Sequence, residues 1–243
     1  MGDFEATRAD GVLQVRRPGT EWLSTGWNGG RWESPCAYNV SVPEGWGCET
    51  IEEYVPRRLE DAGFEVPGPT LLTGVDMSHV RGARCGPVTA YATAGVSNPA
   101  VLPMDPPGGE LPDGQLEGDC EDDEEPVGTV NLLVGTTRAL EAGALANLVA
   151  VAAEAKATTL LAETGFPGTT SDAIVVGHDP DGSREEFSGS ATPVGAATRA
   201  CVREALLAAL ASRYEDTDAA VPADLEDATY GVSTDVRAEV FRL

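Results

Sequence analysis

From Gly128 onward apolar runs and polar punctuation follow one another in a regular order. GTVNLLVGTT reads as a strand, Glu141 to Glu163 as a long apolar helix, Ala173–Val176 as a short buried strand, and Pro193 to about Arg213 as a second long helix. A glutamate at the first helix's start suits the helix dipole, and Gly165-Phe166-Pro167-Gly168 ends it. Pro193 fits a first helical turn, with Ser190 or Thr192 as cap. Earlier in the chain, GVLQVRR and TEWLST flank Pro18-Gly19 and predict a β-hairpin. CAYNVSVPEG predicts a strand. Thr50–Ala62 sets Ile51, Tyr54, Val55 and Leu59 at helical spacing, with Pro56 either distorting the helix or marking a new start. PTLLTGVD and PVTAYATAGVSNP predict two more strands, ending near Asp76 and Asn98. The tail crosses an acidic linker, Glu215–Asp227. It then alternates through Val232, Thr234, Val236, Ala238 and Val240 in the manner of an edge strand.

These elements predict an α+β fold: one domain, with a mixed β-sheet and two long helices packed on it. Met104–Pro126 is rich in Pro, Gly and acid and poor in apolar residues, so it reads as a solvated acidic loop inserted between two strands that can pair antiparallel. The domain is expected over residues 1–213 with 104–126 as its insertion, followed by 214–243 as linker and edge strand.

Composition changes the reading of charge. Forty Asp and Glu against sixteen Lys and Arg leave a net charge of −24. A hydrophobic content of 42% still supports a core. Such acidity fits a salt-in halophile's cytoplasm, where molar salt shortens the Debye length to about 3 Å. It offers no basic patch for nucleic acid. Five scattered cysteines without a CxxC pair argue against a disulfide framework or zinc knuckle. MGDFEATRAD has no secretory signal character, and Ala142–Ala153 is too short to span a bilayer. The expectation is a cytoplasmic protein with no membrane partner; oligomeric state is left open.

Lysine scarcity then singles out one residue. Lys156 is the only lysine in the chain, against fifteen arginines. Helical spacing sets Asn147, Glu154 and Thr158 on one stripe and Lys156, Thr159 and Glu163 on another. These are either two solvated edges of an amphipathic helix or part of a site. The following loop, GFPGTTSDA, offers Thr169, Thr170, Ser171 and Asp172. It lacks a Walker lysine and P-loop spacing, so it is a connector or a cluster of hydroxyls and a carboxylate with chemical use. His79 and His178 are the only histidines and do not make a zinc site, so no metal is assigned. Asn39, Asp76, Asn98 and Asn131 fall at predicted strand ends, where they either serve turns or line a pocket.

Taken in order, WLSTGWNGGR, YNVSVP, LLTGVDM, VTAYATAGVSNP, GTVNLLV, EAKATTLL, GTTSDAIVV and SGSATPVG resemble the adenosylcobinamide amidohydrolases (CbiZ-type) of archaeal corrinoid salvage. The resemblance spans about Val12 to Leu210; the acidic loop and the tail look like lineage additions. It implies hydrolysis of the amide joining the corrin ring's propionate to aminopropanol, giving adenosylcobyric acid for coenzyme B12 salvage. Cobalt then belongs to the corrinoid substrate, and no cofactor is expected. A non-catalytic corrinoid carrier and an amidase of the same scaffold with another substrate stand as alternatives.

Amide hydrolysis needs an activated water or nucleophile, donors for the oxyanion and an acid for the amine. Glu154 or Asp172 is the candidate base. Lys156, with Asn39 or Asn131, is the candidate oxyanion stabiliser, and Thr169 and Thr170 orient water or attack. Asp76 and Asn98 join Asn39 and Asn131 as candidate substrate contacts. Trp27, with Trp32 and Trp46, supplies either flat area for the corrin or ordinary packing.

Overall fold

Alternating side chains on two central strands separate the molecule into layers. The computed structural model describes residues 3–42, 50–112, 128–215, 220–228 and 231–242. In chain order it contains β1 (Glu5–Ala9), β2 (Val12–Arg16), β3 (Glu21–Ser24), β4 (Gly30–Glu33) and β5 (Cys36–Ser41), then α1 (Ile51–Asp61). Next come β6 (Thr70–Thr73), a 3₁₀ turn at Met77–His79, β7 (Arg81–Cys85), β8 (Val88–Ala94), β9 (Ala100–Val101) and β10 (Val130–Leu140). The chain continues with α2 (Ala142–Thr164), β11 (Ala173–Glu185), α3 (Pro193–Tyr214) and β12 (Val232–Ser233).

The fold is α+β, as expected, and α2 and α3 pack on one mixed sheet. That sheet has six strands in the order β4-β3-β11-β10-β8-β7, and behind it lies a four-stranded sheet ordered β1-β2-β5-β6. Each of these sheets has one parallel pair closed by a helix: β10–β11 across α2, and β5–β6 across α1. The sequence reading merged them because both sheets use the same short apolar runs.

Period-two alternation assigns the faces. Leu132 and Val134 of β10 pack with Leu145 and Leu148 of α2 and Val202 and Leu206 of α3. Leu133, between them, faces the other sheet with Leu13, Val15 and Leu71. Tyr38 and Val40 of β5 turn outward to Tyr54, Val55 and Leu59 of α1. The result is four layers, helix–sheet–sheet–helix pair. Between the sheets, Phe4 and Trp22 form an edge-on pair 5.6 Å apart. They lie over Gly135 and Gly177, which are register partners on β10 and β11. A Cβ at Gly135 would meet the Phe4 ring at 2.5 Å, and one at Gly177 would meet Trp22 at 2.4 Å.

Several local expectations change. Pro18-Gly19 does not close a hairpin: β2 pairs with β1 and β5, whereas β3 pairs with β4 and β11, so this turn crosses from one sheet to the other. The first hairpin is β1–β2, turning at Asp10-Gly11 with φ of 44° and 73°, the left-handed geometry that Asp-Gly favours. Helix α1 runs through Pro56 without restarting. β11 is far longer than Ala173–Val176. Asp179-Pro180-Asp181-Gly182, which looks like a turn, forms a bulge opposite Thr136–Arg138. β8 and β10, which bracket the acidic segment, do pair antiparallel; residues 113–127 of that segment lie outside the described ones. The tail's strand is only Val232–Ser233 and pairs with β9, not with an edge of either large sheet.

Helix α2 also corrects the length argument about a bilayer. At 23 residues it is long and apolar enough to cross one by length and composition alone. Here it packs on β10, β11 and α3 and carries a buried lysine.

Candidate active site at the start of the central parallel pair

The loop between α2 and β11 builds a carboxylate cradle. Gly165 ends α2 in a left-handed cap, with φ of 78°. Seven residues on, Asp172 turns inward just before β11. Its Oδ2 takes Lys156 Nζ as an ion pair and the Thr169 backbone N–H at 3.0 Å. Its Oδ1 takes the Val130 backbone N–H at 2.9 Å and the Thr169 hydroxyl. Both oxygens therefore have two donors. Lys156 is only 9% exposed, so the chain's one lysine is buried and paired. Gly168 makes the approach possible: a Cβ there would sit 2.6 Å from Asp172 Oδ2 and 3.1 Å from Lys156 Nζ.

The outer side of the loop engages Asn98. Thr170 donates its backbone N–H to the Asn98 carbonyl at 3.2 Å, and Asn98 Nδ2 donates to the Thr170 hydroxyl at 2.5 Å. Thr170 is exposed, whereas Asn98 is fully buried and its Oδ1 has no partner among the described residues.

On the inner side, the polar chain enters the space between the sheets. Asn131 lies beside Ala173 in the β10–β11 register and beside Thr93 in the β10–β8 register. Its Nδ2 donates to Asn39 Oδ1 at 3.0 Å and to the Leu72 carbonyl at 2.8 Å. Asn39 Nδ2 in turn donates to Thr93 Oγ1 at 2.9 Å, and Thr129 Oγ1 to Thr73 Oγ1 at 2.7 Å. Both Asn131 N–H groups are thus occupied, and Asn131 Oδ1 is buried without a donor among the described residues. Leaving such an acceptor unmade costs about 1–3 kcal/mol. The residue expected to donate to an oxyanion instead presents an acceptor.

Lys156, Asp172, Thr169, Thr170, Asn98, Asn131 and Asn39 therefore form one continuous region. Three candidates lie apart. Glu154 is exposed on another side of α2, where it meets Arg199 of α3 at 3.3 Å; two residues along a helix turn a side chain by about 200°. Asp76 is exposed and caps the 3₁₀ turn, accepting the Ser78 N–H at 2.6 Å. That hydrogen bonding to Ser78 holds its carboxyl below the usual range. Trp27 is half-buried against the aromatic cluster under α1, and Trp46 lies outside the described residues. Neither histidine enters the region: His79 Nδ1 contacts Ser212 Oγ at 3.1 Å, and His178 Nδ1 accepts the Leu140 N–H at 3.0 Å. Among the described residues no three His, Cys, Asp or Glu side chains converge to hold a metal ion.

Thr73, Thr93 and Thr129 were missed as site residues. A signal existed for Thr93 and Asn131: each is a polar residue flanked on its strand by residues buried on both faces.

A buried lysine–carboxylate–hydroxyl group beside amides, on a layered α+β domain, has the equipment of a hydrolase acting at a polar carbonyl. Comparison with known proteins makes this specific. The family model described as adenosylcobinamide amidohydrolase matches residues 2–218, and the chain belongs to that family. An adenosylcobinamide amidohydrolase of Halobacterium salinarum is 58% identical over 241 residues, covering 98% of this chain and 99% of the relative. One from Methanosarcina mazei is 29% identical over 206 residues, covering 80% of this chain and 92% of the relative.

Proposed function

We infer that the protein hydrolyses the amide between the corrin ring's propionate and aminopropanol in adenosylcobinamide. Water adds to the carbonyl carbon, the C–N bond breaks, and the amine leaves with a proton as 1-amino-2-propanol. Adenosylcobyric acid remains. The observation that carries this reading is the 58% identity, over nearly the whole of both chains, to a protein bearing that activity's name.

The geometry supports a division of labour. Lys156 supplies the positive charge for the developing oxyanion, and Asp172 fixes its position. Thr169 holds the attacking water with its hydroxyl oxygen, its own proton resting on Asp172 as a relay. Asn98 holds Thr170 at the outer face of the loop, and Asn131 with Asn39, enclosed between the sheets, braces the strand that carries the Val130 N–H to Asp172. Cobalt is part of the substrate in this reading, and the enzyme works in the cytoplasm.

The test is incubation of purified protein with adenosylcobinamide in molar KCl, following release of 1-amino-2-propanol. Release in step with adenosylcobyric acid is expected. Binding of corrinoid without release would make the protein a carrier. No binding, with turnover of other amides, would make it an amidase of different specificity.

A further inference from the structure

The tail beyond the family match is joined by backbone to the candidate active-site loop. The family model ends at residue 218, and β12 lies past it at Val232–Ser233. Val232 donates its N–H to the Pro99 carbonyl at 3.0 Å, and Thr234 donates to the Val101 carbonyl at 3.0 Å. On its other side, the same short segment bonds the site. Ala100 donates to the Gly168 carbonyl at 3.0 Å, Thr170 donates to the Asn98 carbonyl at 3.2 Å, and Pro99 bridges Thr169. Residues 98–101 are therefore the middle rung of a three-segment ladder, with the tail at one edge and Gly168–Thr170 at the other.

Side chains tie the tail to the same stretch. Arg237 donates to Asp105 Oδ1 at 2.6 Å and to the Pro106 carbonyl at 2.5 Å. A Cβ built on Gly109 would lie 3.6 Å from Asp235 Cβ. The exposed Arg237–Asp105 pair is screened by molar salt, so the backbone ladder is the part that holds in the acidic, high-salt setting. The described start of the acidic segment and residues 232–237 of the tail are thus parts of one assembly, and that assembly abuts Asn98 and Thr169.

We propose that the C-terminal segment is a positioning strap: β12 fixes Asn98–Val101, and that segment holds Thr169 and Thr170 in register against Asp172 and Lys156. None of the strap residues touches the reacting atoms; they act through the loop. The catalytic consequence rests on the amidohydrolase reading, whereas the mechanical one does not. Small misplacement of a catalytic group lowers turnover steeply, by up to about 100-fold for 1 Å.

Two full-length-derived variants test this. One ends at Asp227; the other carries Val232→Pro, which removes the N–H given to Pro99. Amide hydrogen exchange is read at Ala100, Thr169 and Thr170, and kcat and KM for adenosylcobinamide are measured beside thermal unfolding. Faster exchange at Thr170 and Ala100 is expected in both variants. So is a fall in kcat of about tenfold or more in the truncation, with unchanged KM and a midpoint that stays well above the assay temperature. A peptide of residues 228–243 added in trans should restore part of kcat. Unchanged exchange at all three amides overturns the strap. Unchanged kcat with faster exchange overturns its catalytic role. If the parent protein releases no aminopropanol, the amidohydrolase reading fails, and exchange alone still decides whether the strap exists.

Discussion

Strand β11 has a buried carboxylate–cation pair at its start and another seven residues on, and the two stand in different surroundings. Asp172 meets Lys156 with side chains 10% and 11% exposed; Asp179 meets Arg17 at 2.5 Å with side chains 5% and 6% exposed. By burial alone the pairs are equivalent. Their surroundings separate them. Arg17 lies over the Phe4 ring at 5.5 Å, and Asp179 also accepts the Asp181 N–H at 3.0 Å, which pins the bulge in β11. Asp172 instead collects a lysine, a hydroxyl and two backbone N–H groups beside buried amides. A planar, permanently charged guanidinium over an aromatic ring clamps layers together, whereas a lysine among hydroxyls can meet charge that develops during a reaction. A cavity of about 300 Å³ beside Arg17 is lined by Asp3, Glu5 and Asp181 among others, with no hydroxyl or amide side chain among the described residues.

The sharpest way to break this contrast is to remove each cation. Lys156→Ala should lower kcat for adenosylcobinamide by at least about 100-fold, the scale of a lost oxyanion donor, while circular dichroism stays native. Near-normal turnover would make the Lys156 pair as structural as its counterpart. Arg17→Ala should leave turnover in place and cost stability. Leaving Asp179 buried and unpaired costs about 3–5 kcal/mol, read by denaturant unfolding in KCl, with kcat per folded molecule held within about twofold.

A smaller effect concerns His178, next to Asp179. Burial lowers its pKa and outweighs the opposing pull of Glu21. Its Nδ1 accepts from Leu140, so the folded protein holds the neutral ring. As pH falls below the ordinary value of 6.5, the unfolded chain takes up the proton first, and stability declines until His178 itself titrates at its lowered value. His178→Asn keeps an acceptor near Nδ1 and should flatten the unfolding midpoint between pH 7 and pH 5; an unchanged slope would assign that dependence to other groups. The smallest effect is expected at Glu154. Glu154→Gln on the exposed side of α2 should leave kcat within about twofold, and a large loss would return it to the list of candidate bases.

How far the sequence disclosed these features depends on the range of the interactions. Helices α2 and α3 and their ends were legible, because caps such as Thr192, whose hydroxyl accepts the Gly195 N–H at 3.0 Å, and Gly165 act within one turn of chain. Lys156, Thr169, Thr170 and Asp172 lie within sixteen residues of one another; lysine scarcity marked the first, and the glycine-flanked loop of hydroxyls marked the others. Two sheets in place of one were not legible: Pro18-Gly19 has the same turn chemistry whether the next strand returns beside its predecessor or crosses to another layer. The extension of β11 past Val176 was hidden for a related reason, since the bulge at Asp179–Gly182 draws on the residues a turn would use. The helical spacing that set Glu154 and Lys156 on separate stripes agrees with the fold, where Glu154 meets Arg199 and Lys156 meets Asp172.

The lone lysine also makes the protein unusually open to spectroscopy. Growth on lysine labelled with ¹³C at Cε and ¹⁵N at Nζ would label one residue in the whole chain, Lys156. A single resonance pair would then follow the ammonium group as corrinoid enters and aminopropanol leaves, with no assignment step and no substitution near the site.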